Sequence, residues 1–535
     1  MRDGKKKLFL IVSGVILALG FCYFVWFINA RIDYLINSDD SSELILGHLL
    51  ASENRLLSEN WYYSTELRVV NTQIFYTFFF KIFHSWHKVR IASYICLYMV
   101  MLAAYCFMCS GLKIRKYFCI TAVLLMLPFS EGYFLFVLKG AYYIPHIAIT
   151  FFTLGLGESY VTDMDRRRKI YLIVGFLCAV LVGMGGARLV VILYIPLALA
   201  AIGIIVFHLS ADEGRIMCNL TMENKKYILF SVVSFAGSAL GYVVNTKVLT
   251  NFFSFMQWDD VSFTSFDLSK LSQIINGFLS SYGYTTGKVF SSALLGNFLC
   301  ACWLILTVCA CIYVLKNKDK AAPSHRRLAL FTIAAFLIFI LLYMFTDLSY
   351  VDRYNLPIIV LSIPMIAILF KDMKVRDTVK DTVIITFSLL VTLSGYLFCQ
   401  STYKADYTEE LRSIVAALEN GQYTEGYATF WRANILTELS NGNIDVRDWQ
   451  ASNMEGDCPI TVTSVDDTYK WLQLTAHDYT HPTGKMFLLF TINEWENNPW
   501  KGKLSTEHII YQSDNYMVIG YETYEKLRED TTAQQ

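Results

Sequence analysis

The sequence predicts an α-helical polytopic membrane protein of about eleven transmembrane helices, followed by a C-terminal extracytoplasmic α+β domain. Three observations predict it. Hydrophobic residues fill 55% of the 535 positions and the mean hydropathy is +0.41, while charged residues are only 17%, where a soluble protein carries about 25%. Eleven apolar runs can cross about 30 Å of hydrocarbon. After residue 400 charged and polar residues return. The 45 basic and 45 acidic residues cancel, and with no basic block nothing points to a nucleic acid partner. With 9 Pro and 29 Gly, the composition fits neither a disordered chain nor a fibrous repeat.

The runs fall at 8–29, 91–111, 117–135, 142–160, 170–187, 189–208, 228–247, 290–315, 329–346, 356–370 and 382–399. The first is too long for a signal-peptide core and lacks a small-residue cleavage site, so it reads as an uncleaved anchor. Val69–Trp86 is apolar and aromatic but is interrupted by Asn71, Gln73, Lys81 and His84. Whether it spans sets the sidedness of everything after it. Basic residues favour cytoplasmic loops. If the segment lies along the outer surface, the cytoplasmic stretches 1–7, 111–118, 161–169, 209–226, 316–327 and 371–380 hold 23 Lys and Arg, against 12 in longer outer loops. It therefore reads as an interfacial helix over 69–86, with Trp86 and His87 at headgroup depth. The N-terminus is then cytoplasmic. Residues 1–399 form the transmembrane domain, with a long outer loop at 30–90, and 400–535 form the extracytoplasmic domain.

In that tail Leu411, Ile414, Val415 and Leu418 recur at helical spacing within Tyr407–Leu418, and Ile460–Val465, Lys485–Thr491 and Tyr516–Tyr521 read as strands. Its tryptophans, Trp431, Trp449, Trp471, Trp495 and Trp500, either stack on the sugar faces of a glycan or fill a small core. Nearly all of the 13 cysteines lie in apolar runs and read as small hydrophobes in helices. No disulfide framework is expected, and no CxxC pair marks a structural zinc site. No internal repeat of the kind that builds transporters is visible.

Ionisable groups are costly in and beside a bilayer, so their clustering is the strongest functional signal. They cluster on the outer side. The first outer loop opens Asn37-Ser38-Asp39-Asp40-Ser41-Ser42-Glu43. In a helix starting there, Glu43 stands one turn on from Asp39 on the same face. The adjacent carboxylates suit a general base, one ionised and the other modulating it or holding a metal. Alternatively Asp40 and Ser41 cap the helix and the acids are a solvated face. Asp352-Arg353-Tyr354-Asn355-Leu356-Pro357, before the tenth run, puts an arginine beside aromatics at the membrane surface. That is either a phosphate grip or an interfacial anchor. Arg188 follows Gly183-Met184-Gly185-Gly186, glycines that suit close approach of a ligand or of another helix. Lys139, Tyr142, Tyr143 and His146 make a third outer cluster, and Trp258-Asp259-Asp260 a fourth. The phosphate-binding loop of nucleotide-driven pumps is absent: Thr286-Gly287-Lys288 lacks the rest of it. No HExxH, GxSxG or dinucleotide fingerprint occurs in a suitable context. No charge falls near the middle of any run, against an ion-coupled transporter.

One anchor helix, a long outer loop opening on Asp39-Asp40, a surface helix before the second span and the late Asp352–Pro357 segment together resemble the C-type fold of membrane glycosyltransferases (GT-C) over about 1–400. That superfamily includes protein O-mannosyltransferases, aminoarabinose transferases and the catalytic subunit of oligosaccharyltransferase. The resemblance implies a sugar donor carried on a polyprenyl phosphate or diphosphate and used on the outer face. It implies a loop aspartate as base, transfer with inversion, and an acceptor that is an envelope glycopolymer or glycolipid of a bacterial plasma membrane. Asp39 would be the base, with Asp40 second. Arg353 would stabilise the leaving phosphate, with Tyr354, Arg188, Lys139, His146 and Glu43 as further substrate contacts. The chain has Asp-Asp where the oligosaccharyltransferase pattern has Asp-x-Asp, which leaves a divalent cation open. Two other readings compete: a non-catalytic membrane protein such as an envelope scaffold or a lipid-linked sugar flippase, the latter of which should carry polar groups through its central helices, and a surface-polysaccharide polymerase or ligase, which should show large arginine-rich outer loops.

Overall fold

The computed structural model describes residues 2–64, 67, 69–163, 167–212, 215–255, 261–285, 294–317, 321–348, 350–449, 460, 464–506 and 508–532. Helix α1 (Arg2–Arg31) has 30 residues, roughly 45 Å at 1.5 Å per residue. It opens on Lys5, Lys6 and Lys7 and ends at Arg31, whose guanidinium lies against Tyr34 and Tyr403 at 4.4 and 4.8 Å. The stretch after α1 then forms α2 (Ser38–Glu53) and α3 (Gln73–Phe80) before α4 (Trp86–Gly111). The apolar body continues with α5 (Ile144–Thr162), α6 (Arg167–Gly183), α7 (Ala187–Phe207), α8 (Met222–Lys247), α9 (Ser269–Ser281), α10 (Leu294–Lys316), α11 (Pro323–Phe345), α12 (Ser362–Asp372) and α13 (Asp377–Thr402).

Seven of the described helices are long and apolar enough to cross a bilayer unbroken, or eight if one bent pair counts as a span. All eleven apolar runs carry helix, but not all are single spans. The run 117–135 divides into Phe118–Ala122, a 3-10 turn Val123–Leu125 and a new start at Glu131. The segment Glu131–Lys139 then meets α5 at a 90° bend. The run 356–370 divides into Leu356–Ile359 and α12. Broken backbone at membrane depth survives only where protein covers it. Here Val123, Leu125, Met126, Val360 and Leu361 are all buried.

Helix α3 has eight residues, about 12 Å, too short to span. It lies on α2 so closely that a Cβ on Gly47 would sit 2.4 Å from that of Tyr76. Trp86, expected at headgroup depth, is instead buried between the rings of His48 and Phe80, each 5.2 Å away. Gly442 of the tail covers it, with φ +78° and room for no Cβ against the indole. His87 pairs with Asp33 at 2.8 Å.

The tail opens with α14 (Glu409–Asn420), which buries Leu411, Ile414, Val415 and Leu418 as the spacing requires. A mixed sheet follows: β1 (Glu425–Thr429), β2 (Asp445–Trp449), β3 (Met486–Thr491), β4 (Ile509–Gln512) and β5 (Tyr516–Tyr521), in the order β2-β1-β3-β5-β4. The β1–β2 and β1–β3 pairs are parallel and the other two antiparallel. Helix α15 (Phe430–Leu439) makes the crossover from β1 to β2. The strands expected at 485–491 and 516–521 are β3 and β5. Half of the one expected at 460–465, residues 461–463, lies outside the described residues, although Ile460 and Val465 are buried in the sheet's core. Strand β2 was missed because its sequence, Asp445-Val446-Arg447-Asp448-Trp449, alternates nothing apolar, yet Arg447 and Asp448 are buried. Trp449 and Trp500 belong to the core, with Tyr427 stacked on Trp449 at 5.6 Å. For these two rings the core, not a glycan face, is the outcome.

The tail is joined to the stretch between α1 and α4 at several points. Helix α15 packs on α2, the Ser38 hydroxyl donates to the Phe430 carbonyl, and the Trp86 amide donates to the Asn441 side chain at 3.2 Å. Trp61 bridges to Leu474.

Candidate functional site

Asn37 caps α2. Its Oδ1 accepts from the Asp40 amide at 3.0 Å, and the Asp40 carboxylate accepts from the Asn37 amide at 3.2 Å. This reciprocal box satisfies two of the N–H groups a helix start leaves open. Asp40 therefore helps close the cap, but it also has a second partner. The Lys139 ammonium lies 2.8 Å from its Oδ2, and both side chains are buried. Lys139 ends a π-helical turn, Phe134–Lys139, of the kind that inserts an extra residue and re-aims a side chain.

Behind this pair is a group that the sequence reading missed. Arg90 is fully buried and donates to the Asp40 carbonyl at 3.1 Å, to the Tyr94 hydroxyl at 2.9 Å and, through Nε and Nη2, to Glu438 of α15, the Nε bond being 2.8 Å. Tyr94 in turn donates to the Lys139 carbonyl at 2.5 Å. The only signal in the sequence was a charge at the edge of the 91–111 run; the partner is 348 positions away. Asp40 is thus held from three sides, while Asp39 beside it is half-buried. Glu43 accepts from the Thr72 hydroxyl at 2.7 Å, tying α2 to the start of α3.

Around the break between Lys139 and α5 the remaining expected residues meet. Tyr142 is buried three residues on from Lys139, its ring 5.8 Å from that of Tyr143. Through Lys139 the acid pair therefore adjoins the tyrosine stretch that Arg188 joins to the late Arg353-Tyr354 turn. Arg353 stands in the 3-10 turn Asp352–Tyr354, 5.4 Å from the Tyr354 ring. Its Nε is buried with no hydrogen-bond partner among the described residues. Arg188, in the first turn of α7, lies over both Tyr354 and Tyr143, at 5.1 and 5.6 Å, within cation–π range. Tyr143 stacks on His146 at 4.8 Å, and His146, Arg188, Asn71 and Gly185 line one cleft. Of the glycines before Arg188, Gly183 serves helix packing, since a Cβ there would lie 2.1 Å from the Ser238 carbonyl. Gly186, at φ +102°, makes the turn into α7 that a side chain would resist.

Four chain segments thus bring Asp39, Asp40, Lys139, Tyr142, Tyr143, His146, Arg188, Arg353 and Tyr354 together. Lys139, expected at a phosphate, has its ammonium on Asp40. The Trp258-Asp259-Asp260 cluster lies outside the described residues. Among the described residues no group of three or more His, Cys, Asp or Glu side chains could hold a metal ion. The chemistry available is a carboxylate beside a locked twin, next to two guanidiniums held against tyrosine rings. That set can take a proton and stabilise a departing anion.

No family pattern and no curated protein matches this chain. Solved structures do. ArnT from Cupriavidus metallidurans bound to undecaprenyl phosphate superposes with a TM-score of 0.60 over 97% of this chain and 98% of that one, at 9% identity. The same protein in the apo state gives 0.58 at 8% identity, over the same shares of both chains. An Archaeoglobus fulgidus oligosaccharyltransferase tethered with an acceptor peptide gives 0.45 over 82% of this chain and 63% of that one, at 10% identity. The likeness to ArnT is one of fold, and it spans both the apolar body and the tail. The chain is an α-helical membrane protein with the GT-C fold and a strand-containing C-terminal region.

Proposed function

We propose that this protein is a glycosyltransferase that moves a sugar from a polyprenyl-phosphate donor to an envelope acceptor on the outer face of a bacterial plasma membrane, with inversion. The observation that carries the reading is that the acid pair, through Lys139, adjoins the tyrosine stretch where Arg188 and the Arg353-Tyr354 turn meet, in a fold shared with a protein solved with undecaprenyl phosphate bound. Asp39 takes the proton of the acceptor hydroxyl. That oxygen attacks the anomeric carbon, the bond from this carbon to the phosphate oxygen breaks, and the lipid phosphate leaves with the electron pair. Arg353 and Arg188 neutralise it. Tyr354 and Tyr143 hold the guanidiniums, His146 shapes the cleft wall, Lys139 fixes Asp40, and Glu43 fixes α2 on α3. The buried network keeps the acid pair in place before substrate arrives, which lowers the ordering cost in the transition state.

Two experiments test it. With a polyprenyl-phosphate sugar as donor, Arg353→Ala is expected to lower kcat/KM by roughly 100-fold, and Arg353→Lys to restore only part, because a point ammonium cannot reproduce a two-pronged grip on phosphate. Equal activity of Lys and Arg at this position would make the residue a helix anchor. A reporter fused after Gln400 is expected to score as extracytoplasmic and one within 316–327 as cytoplasmic. The reverse pattern would put the acid pair on the side where no flipped donor is presented.

A further inference from the structure

At the far end of α1, roughly 40 Å along the helix from the turn that carries Asp39, the molecule has a second concave site. A cavity of about 740 Å³ opens between three segments distant in sequence. Helix α1 contributes Lys5 and Lys6. The turn after α4 contributes Lys113 and Lys116, and the corner from the end of α12 to the first turn of α13 contributes Lys371, Arg376 and Lys380. The only carboxylates in the lining are Asp377 and Asp381.

The site is partly pre-built. Lys116 is fixed by Asp381 at 2.6 Å and by the rings of Phe9 and Tyr117 at 4.8 and 4.9 Å. Lys380 is buried, donates to the Met373 carbonyl at 3.1 Å and lies 3.5 Å from Asp377. Both acids are therefore engaged by cations of the rim, and the positive excess faces the cavity. Its flanks are apolar and uncovered. Leu8 and Ile11 of α1 are 62% and 63% exposed, and Val379 and Val383 of α13 are exposed too. Solvated lysines alone would not need a concave wall that passes directly into two uncovered apolar helix faces.

We infer that this cavity binds the phosphate headgroup of an anionic phospholipid, whose acyl chains lie along the uncovered faces of α1 and α13. Phosphate accepts several charge-assisted bonds at once, and basic pockets between membrane helices suit such headgroups. The apolar flanks favour a lipid over a free phosphate, which would gain nothing from them. The inference does not depend on the reaction proposed for the opposite end.

The test uses the full chain in a neutral detergent, titrated with dioleoyl-phosphatidylglycerol or dioleoyl-phosphatidylcholine and read by native mass spectrometry. One phosphatidylglycerol is expected to bind at least tenfold more tightly than phosphatidylcholine. Lys113→Gln with Arg376→Gln, both at exposed positions, is expected to weaken it roughly 30-fold for two charges without moving the thermal midpoint. Arg167→Gln with Lys169→Gln, which removes the same charge elsewhere, is expected to leave it unchanged. Equal binding of the two lipids, or equal losses in the two double variants, would overturn the inference. So would displacement of the lipid by millimolar inorganic phosphate, which would assign the cavity to a soluble anion.

Discussion

Asp39→Asn is expected to abolish sugar transfer, a fall of about 10² to 10⁴ in kcat, while donor binding and the thermal midpoint stay where they are. The carboxamide keeps the size of the side chain but cannot take the acceptor proton, and a half-buried group at the start of α2 carries little of the fold. Asp40→Asn is expected to behave differently. It leaves the Lys139 ammonium buried opposite a neutral group, and breaking a buried pair from one side costs about 3–5 kcal/mol. A loss of activity there should come with a loss of stability. The informative comparison is therefore between the two neighbours, each assayed for transfer, donor retention and melting. Near-normal transfer by Asp39→Asn would remove the base from the mechanism and, with it, the main support for catalysis at this site.

Glu438→Gln is expected to destabilise the whole assembly by about 3–5 kcal/mol, because Arg90, fully buried, loses its only acidic partner among the described residues. Replacing both, as Arg90→Met with Glu438→Leu, should cost far less, since it removes the unpaired charge along with the pair. The readout is the melting of the detergent-solubilised chain together with protease release of the tail, whose α15 is tied to α4 by this pair. The same variant should slow transfer, since Arg90 also holds the Asp40 carbonyl and, through Tyr94, that of Lys139. If Glu438→Gln melts and cleaves like the parent chain, the contact is a surface adornment and the tail is held by its apolar seam alone.

Much of the site was legible before any coordinates because the chemistry is local in sequence. Asp39 and Asp40 are adjacent, Arg353 stands beside Tyr354, and Tyr142, Tyr143 and His146 share one short stretch. Charges that must face water at the edge of a bilayer can lie only in the loops, so hydropathy alone confines the candidates. The roles within the cluster were not legible. Which of two adjacent aspartates is locked depends on a lysine 99 positions away, and nothing in Asp-Asp distinguishes them. The spans show the same division. Length and apolarity put helix in each of the eleven runs, though they offered nothing for the short α9, and they could not say that 117–135 and 356–370 are broken, because a break is permitted by what surrounds it. Trp86 reads as an interfacial ring until Gly442, at a positive φ, covers it.

The sequence by itself determined that this is a multi-span membrane protein with a mixed C-terminal domain, since both follow from the period and run length of apolar residues along the chain. Tertiary structure alone decided that the tail is joined to the acid pair. Arg90 and Glu438 are ordinary charges in sequence, and only the packing of α15 on α2 takes them both out of water, where neither is stable without the other.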